Sequence, residues 1–366
     1  VIFMASRINI GPFHSGTCGA LRLAVELEGD TVVDVEPHVG FLHRGVEKLA
    51  ETRMYMQNAP YMEKLDYASP MSYSEAYVAA VEEAIGVRVG ATAAYARTIL
   101  LELERIASHL LWLSNMADAL GQRSSVSMWA LRDRDVVLRL LEECGGSRMF
   151  YVSMRLGGLA RDFNPGFEER AAAVLEYVEK RIGEYDSFIR KDPVFVGRLR
   201  GVGRLSRRMA IELGVSGPVL RASGVEYDVR DKAPYCAYGD LSFALQARGE
   251  GDCLARYAVR ILEIRESVRL VREAFNKIPP GSAVGAPLRL VVPRPGKRIS
   301  RISRETPRGE CMLYLVTDAR SPYRLSIRSP SFANLGALRE LAKGRRMADL
   351  FAILGSLDLV MGDVDR

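Results

Sequence analysis

Apolar and polar positions alternate with a period of two near both ends of this chain and recur with a helical period between them. Residues 6–40 read as strands: Leu21-Arg22-Leu23-Ala24-Val25-Glu26-Leu27 runs into Glu28-Gly29-Asp30, a hairpin turn signal, and Thr31–Val35 returns. From Gly45 to Lys64 the spacing becomes helical, interrupted at Pro60, and Pro70 suits the first turn of a helix continuing through Glu82. Residues 90–118 predict a long helix, with Ile99, Leu100, Leu103, Ile106, Leu110 and Leu113 on one face. Trp129 to Glu143 is a further helix, ended by Gly145-Gly146, and another begins after Pro165-Gly166 and runs beyond Lys180. Residues 194–240 are richer in Gly and Pro and read as irregular structure around a short helix near Met209. Gly251 to Phe275 is amphipathic and stops at Pro279-Pro280-Gly281. The period then returns to two in Leu288–Val292, Cys311–Thr317 and Tyr323–Ile327, before a last helix at Met347–Leu354. The fold class expected is α+β, with small β regions at 1–40 and 286–366 around a helical bundle at 41–285.

Composition narrows the function classes. With 366 residues and 48% hydrophobic content, the chain can bury a large core. No apolar run reaches the ~18–20 residues that cross a bilayer. The N-terminal VIFMASRIN lacks the form of a signal peptide, with Met4 the expected start, so a cytoplasmic setting is expected. The five cysteines (Cys18, Cys144, Cys236, Cys253, Cys311) include no CxxC pair, which argues against a disulfide framework and against a self-contained metal or cluster cage. A formal charge of +6 suits the basic face of one member of a larger assembly; no nucleic-acid motif accompanies it.

Several motifs carry candidate chemistry. Tyr67 in KLDYASPMS (64–72) offers a phenol that stays protonated at neutral pH, with an ordinary pKa of ~10, and can donate to a carbonyl. A core tyrosine with a satisfied hydroxyl is the plainer reading of the same residue. His14 and Cys18 lie together in GPFHSGTCG (11–19), where Cys18 is either a weak donor or a small buried residue. His38 and His43 precede Arg44 on one loop without a third metal-ligand residue at suitable spacing. His109 fits a satisfied core histidine, and Asp118 a solvated helix-end carboxylate.

Taken together, GPFH (11–14), GFLHRGVEKL (40–49), KLDYASPMS, ELERIASHLLWL (102–113), SGPVLRASGVEYDVR (216–230), TPRGE (306–310), RSPSFANLGAL (328–338) and ILGSLDLVMGDVDR (353–366) occur in one order. In them the chain resembles the D-type subunits of respiratory complex I, an NADH:quinone oxidoreductase family related to NiFe-hydrogenase large subunits. Hydrogenase large subunits put two CxxC motifs where this chain has Asp66 with Ser69 and Val360 with Asp363. Soft metals need thiolates, so the resemblance implies a hydrogenase-like scaffold without its metal pair.

The resemblance further implies a quinone-reducing chamber beside a partner that carries a 4Fe-4S cluster. Tyr67 takes the place of the quinone-contacting tyrosine. Cys18 stands where the family's second loop histidine, the other headgroup contact, is usual, and His14 is kept. Asp118 lies near the carboxylate that pairs with that histidine. Val360 would give the chamber an apolar wall, while Asp358 and Arg366 would anchor the tail. Arg44, Lys64, Phe150 and Arg366 fall near the cluster; Lys64 replaces an arginine and Phe150 a histidine of many relatives. No cofactor is expected on this chain alone. The implied partners are the B-like iron–sulfur subunit, a C-like chain and membrane-arm subunits, on the cytoplasmic face of the membrane. NADH, ferredoxin or a deazaflavin would enter through other members of the complex. A group-4 hydrogenase-related or sulfur-reducing complex, and a non-catalytic scaffold between the iron–sulfur partner and the membrane arm, are the alternatives.

Overall fold

A computed structural model describes residues 6–14, 19–121, 126–285 and 295–366. Strand β1 (Ser6–Ile10) is followed by the short ladder of β2 (Phe13–His14) with β3 (Gly19–Ala20), then by β4 (Arg22–Glu28) and β5 (Thr31–His38). β4 lies between β1 and β5, antiparallel to both, with Ile8 opposite Val25 and Val25 opposite Val35. Gly29 takes φ 63° in the hairpin, which the sequence reading places correctly.

The segment expected to be a helix broken at Pro60 is instead α1 (Val46–Glu51), a 3-10 turn, and a second short helix, α2 (Ala59–Met62). Proline starts α2 rather than interrupting α1, because its fixed φ suits a first turn and its missing N–H is not needed there. The long helices follow: α3 (Pro70–Ile85), α4 (Ala91–Ala119) and α5 (Val126–Gly145). A small ladder of β6 (Met154–Arg155) and β7 (Gly158–Leu159) leads to α6 (Phe167–Lys191). Glu168 and Glu169 in its first turn and Arg190 and Lys191 in its last complement the helix dipole.

Residues 193–232 hold more order than Gly and Pro content foretells. They form α7 (Pro193–Leu199), α8 (Arg207–Glu212), α9 (Gly217–Ala222) and α10 (Val229–Lys232). Side chains cap three of them: Asp192 accepts from Val194 and Phe195, Ser206 from Met209, and Asp228 from Arg230. α11 (Cys253–Lys277) starts at Asp252, whose carboxylate accepts from the Ala255 N–H.

The C-terminal strands β8 (Ile299–Thr306), β9 (Gly309–Thr317) and β10 (Pro322–Arg328) form an antiparallel sheet with β9 central. Its buried face alternates along β9 through Cys311, Leu313 and Leu315. β8 was not legible in the sequence, since its apolar positions are sparse; the strand expected at 288–292 lies outside the described residues. The chain ends in α12 (Pro330–Leu335), α13 (Leu338–Ala342), α14 (Met347–Leu357) and α15 (Met361–Asp365).

Helix α4 is the axis of the bundle. It packs against α5 and α11 and is buried along most of its length, while α6 covers α5 and α11. β8 and β9 lie on α3. The three sequence regions share one apolar core running from Ile10 to Val364. Among the described residues, no helix is long and apolar enough to cross a membrane.

Candidate functional site

Four segments distant in sequence meet at one place: the β2–β3 ladder, the loop before α1, the loop before α3, and the tail from Asp358 onward. Each is fixed by a specific contact. Gly19 runs so close to the tail that a Cβ there would lie 3.0 Å from Met361 Cγ and 3.9 Å from the Tyr67 hydroxyl. The His14 ring stacks on Phe351 of α14, centroids 5.3 Å apart. Arg44 Nη2 donates to the Gly362 carbonyl (3.1 Å), and the Asp365 carboxylate accepts from the Gly40 and Leu42 N–H groups, both at 2.7 Å. His43 Nδ1 donates to the Asp365 carbonyl at 2.7 Å, so this histidine ties the loop to the tail. Arg366 donates to the Ile327 carbonyl and lies 5.5 Å over the Phe332 ring.

Tyr67 is the outlier of its segment. Leu65, Asp66, Ala68 and Ser69 are all buried, yet Tyr67 is 41% exposed. The plainer reading of Tyr67 as a core tyrosine therefore does not hold. Asp66 builds the turn beneath it, accepting from the Ala68 N–H (3.1 Å), the Ser69 N–H (3.2 Å) and Ser69 Oγ (2.6 Å).

Below Tyr67 lies Arg308, which sequence reasoning quoted within TPRGE without giving it a role. Its Nη1 sits 2.9 Å from Asp66 and 3.1 Å from Ser108 Oγ, and its Nη2 3.3 Å from Asp358. Burial works against the guanidinium charge, but Asp358 and Asp66 outweigh it and raise the Arg308 pKa. Gly217 and Gly309, at φ 66° and 136°, permit the close crossing of backbone that puts Arg308 here. A Cβ at 217 would lie 2.4 Å from the Arg308 carbonyl oxygen. Asp358 itself turns the chain at φ 58° between α14 and the tail. Beyond it, Arg260 lies 4.5 Å over Trp112, and burial lowers its pKa to about 10 against the opposing pull of Asp358.

Val360 is buried, with its N–H donated to Ser331 Oγ at 3.3 Å. Asp363 is buried too and accepts from the Tyr73 hydroxyl and from the Ser331 N–H at 3.2 Å. Burial, reinforced by nearby Asp66, raises its pKa. Lys64 and Phe150 form a separate pair, the ammonium 4.8 Å over the ring. Asp118 is exposed at the last turn of α4, while His109 is buried and donates to Glu263 at 2.9 Å. Cys18 lies outside the described residues. Among the described residues no group of three or more His, Cys, Asp or Glu could hold a metal ion.

Comparisons with known proteins agree with one another. The family described as respiratory-chain NADH dehydrogenase, 49 Kd subunit, matches residues 120–302 and 291–366. The chain belongs to this family. A Dehalococcoides mccartyi protein named as the D subunit of NADH-quinone oxidoreductase is 42% identical over 360 residues, covering 98% of each chain. A protein of the same name from Carboxydothermus hydrogenoformans is 40% identical over 359 residues, again 98% of each. A Roseiflexus sp. protein, named as the second D subunit of NADH-quinone oxidoreductase, is 39% identical over 388 residues, covering 98% of this chain and 92% of its own. As a member of the 49 Kd subunit family, the chain is part of an oxidoreductase complex and has other subunits as partners.

Proposed function

We propose that this chain forms the quinone-reduction site of a complex I-type membrane oxidoreductase, lying peripherally on the cytoplasmic face. The observation that carries this reading is Tyr67, exposed in a segment otherwise buried and positioned where four segments converge. Quinone reduction takes two electrons and two protons. The electrons would come from a 4Fe-4S cluster on an adjacent B-like iron–sulfur partner, since this chain groups no cysteines into a cage. C-like and membrane-arm subunits would complete the assembly.

The Tyr67 hydroxyl would donate to one carbonyl oxygen of the headgroup. His14 or Cys18 would serve the other oxygen. Val360 and Met361 would border the ring, and the Arg308 cation beneath, held by Asp66 and Asp358, would stabilise negative charge developing on the headgroup. Arg44, Lys64, Phe150 and Arg366 would lie toward the cluster.

The test uses the intact complex. Tyr67 should react with a tyrosine-directed reagent when quinone is absent and be shielded when a quinone-site inhibitor is bound. Equal labelling in both states would refute the reading.

A further inference from the structure

Buried carboxylates in this fold have a rule and two exceptions. Nearly every one at 4% exposure or less stands in an ion pair: Glu75 with Arg304 (2.5 Å), Glu82 with Arg97 (2.6 Å), Glu263 with Arg221 (2.8 Å), Asp66 with Arg308 (2.9 Å). Among the described residues Glu104 and Asp363 lack one, and both lie close enough to Asp66 for its charge to bear on them. Burying a carboxylate without a cation is costly, and the usual escape is to hold a proton.

Glu104 is poised between the two states. It sits mid-way along α4, fully buried, and reaches the N-terminus of α3, where it accepts from the Met71 N–H (2.7 Å), the Ser72 N–H (2.9 Å) and Ser72 Oγ (2.6 Å). Those donors and the helix dipole favour the carboxylate; burial and Asp66 favour the acid. Burial is the largest influence, and the pKa is raised to about 7.

The remaining groups around it complete the setting. The Tyr151 hydroxyl, buried and with no hydrogen bond of good geometry among the described residues, lies near enough to Glu104 for its charge to act on the phenol. A hydroxyl can donate to a carboxylate and accept from an acid, so it suits a neighbour that changes state. Arg134 of α5 also acts on Tyr151, in the opposite sense. Ser108, one turn along α4, bonds Arg308, which holds Asp66, the residue before Tyr67 in sequence. Arg105, next in sequence, is engaged by Glu102 and by the Glu305 and Thr306 carbonyls.

We propose that Glu104 is the charge-compensating residue of the Tyr67 chamber, holding a proton while negative charge arrives there and returning it to solvent once the headgroup oxygens are protonated. The proposal rests on the quinone reading of the same site. In each cycle the iron–sulfur partner supplies two electrons and the two quinone oxygens take two protons. Both of these come from solvent by way of groups that touch the headgroup; the proton that Glu104 holds is returned to solvent, so that over a full cycle the residue neither gains nor loses one. Glu104 touches no substrate; its influence passes through Asp66 and Arg308.

The experiment compares wild type, Glu104→Gln and Glu104→Asp in the intact complex. Glutamine keeps an amide oxygen for the α3 N–H groups but cannot titrate. Infrared spectra of the resting complex should show a carboxylic acid titrating near neutrality, retained in Glu104→Asp and lost in Glu104→Gln. Quinone reduction should fall in wild type as pH rises through about 7. Glu104→Gln, neutral at every pH, should lack that limb and keep above about pH 7 the rate it has below it. A variant with wild-type rate and pH profile would show a purely structural cap and overturn the proposal, as would a wild-type complex with no acid titrating near neutrality, whether or not the glutamine variant assembles. The infrared titration involves no quinone. Failure of inhibitor protection at Tyr67 would sink the quinone reading separately.

Discussion

Arg308 lies 2.9 Å from Asp66, so a turn near residue 66 and a hairpin more than two hundred residues later share one buried ion pair. The same guanidinium reaches Asp358 at the start of the tail. Removing it leaves two buried carboxylates to be neutralised or exposed. Arg308→Met should therefore destabilise the fold by about 3–5 kcal/mol, the usual cost of breaking a buried pair from one side. Arg308→Lys should recover part of this, because one ammonium cannot match the planar fork that reaches both acids. Denaturant titration of the three forms measures the difference; equal midpoints would mean that the pair contributes nothing.

Tyr67→Phe removes a hydroxyl from an exposed ring and no core packing. Assembly should be unaffected, while quinone reduction should fall about ten-fold or more, in line with loss of a general-acid contact. Turnover of the purified complex against its yield separates the two effects. A fully active, fully assembled variant would take the donor role away from Tyr67.

Asp363 and Asp66 should respond differently to loss of charge. Asp363 has no ion-pair partner among the described residues and a raised pKa, so Asp363→Asn replaces a group already inclined to neutrality and keeps an acceptor for the Tyr73 hydroxyl. Asp66→Asn strips Arg308 of one of its two anions. The second change should cost clearly more stability than the first, and unfolding midpoints at neutral pH would reveal the reverse order if the assignment were mistaken.

His109 gives the bundle a dependence on acid. Burial lowers its pKa below 6.5, the Glu263 contact opposing the shift. In the unfolded chain the imidazole takes up a proton near pH 6.5, whereas in the folded chain it remains neutral further down. The unfolded state thus binds more protons in that window, and stability is full above about pH 6.5 and declines as pH falls below it. Hydrogen-exchange protection of α4 and α11 amides, compared on either side of that value, should drop on acidification, and the drop should shrink in His109→Gln. An unchanged drop in the variant would place the acid sensitivity elsewhere.

The long helices α4, α5, α6 and α11, the hairpin at Gly29 and strands β9 and β10 were legible because their signals are local. A period of 3.6 or 2, a proline in a first turn and a glycine with positive φ act within a few residues. The family was legible as well, since its motifs are contiguous. Strand β8 was not, having few apolar positions of its own, and residues 193–232 were underestimated because capping side chains, rather than periodicity, set their short helices.

What only the tertiary structure decided is which residues stand together. Sequence brought Tyr67, His14, Asp358 and Val360 forward one motif at a time, but no local pattern sets Arg308 between Asp66 and Asp358, or Glu104 at the head of α3 with no counter-ion among the described residues. Such pairings join residues tens to hundreds of positions apart. Their consequences, a charge held or a proton kept, depend on burial, which is a property of the packed chain and not of any segment read alone.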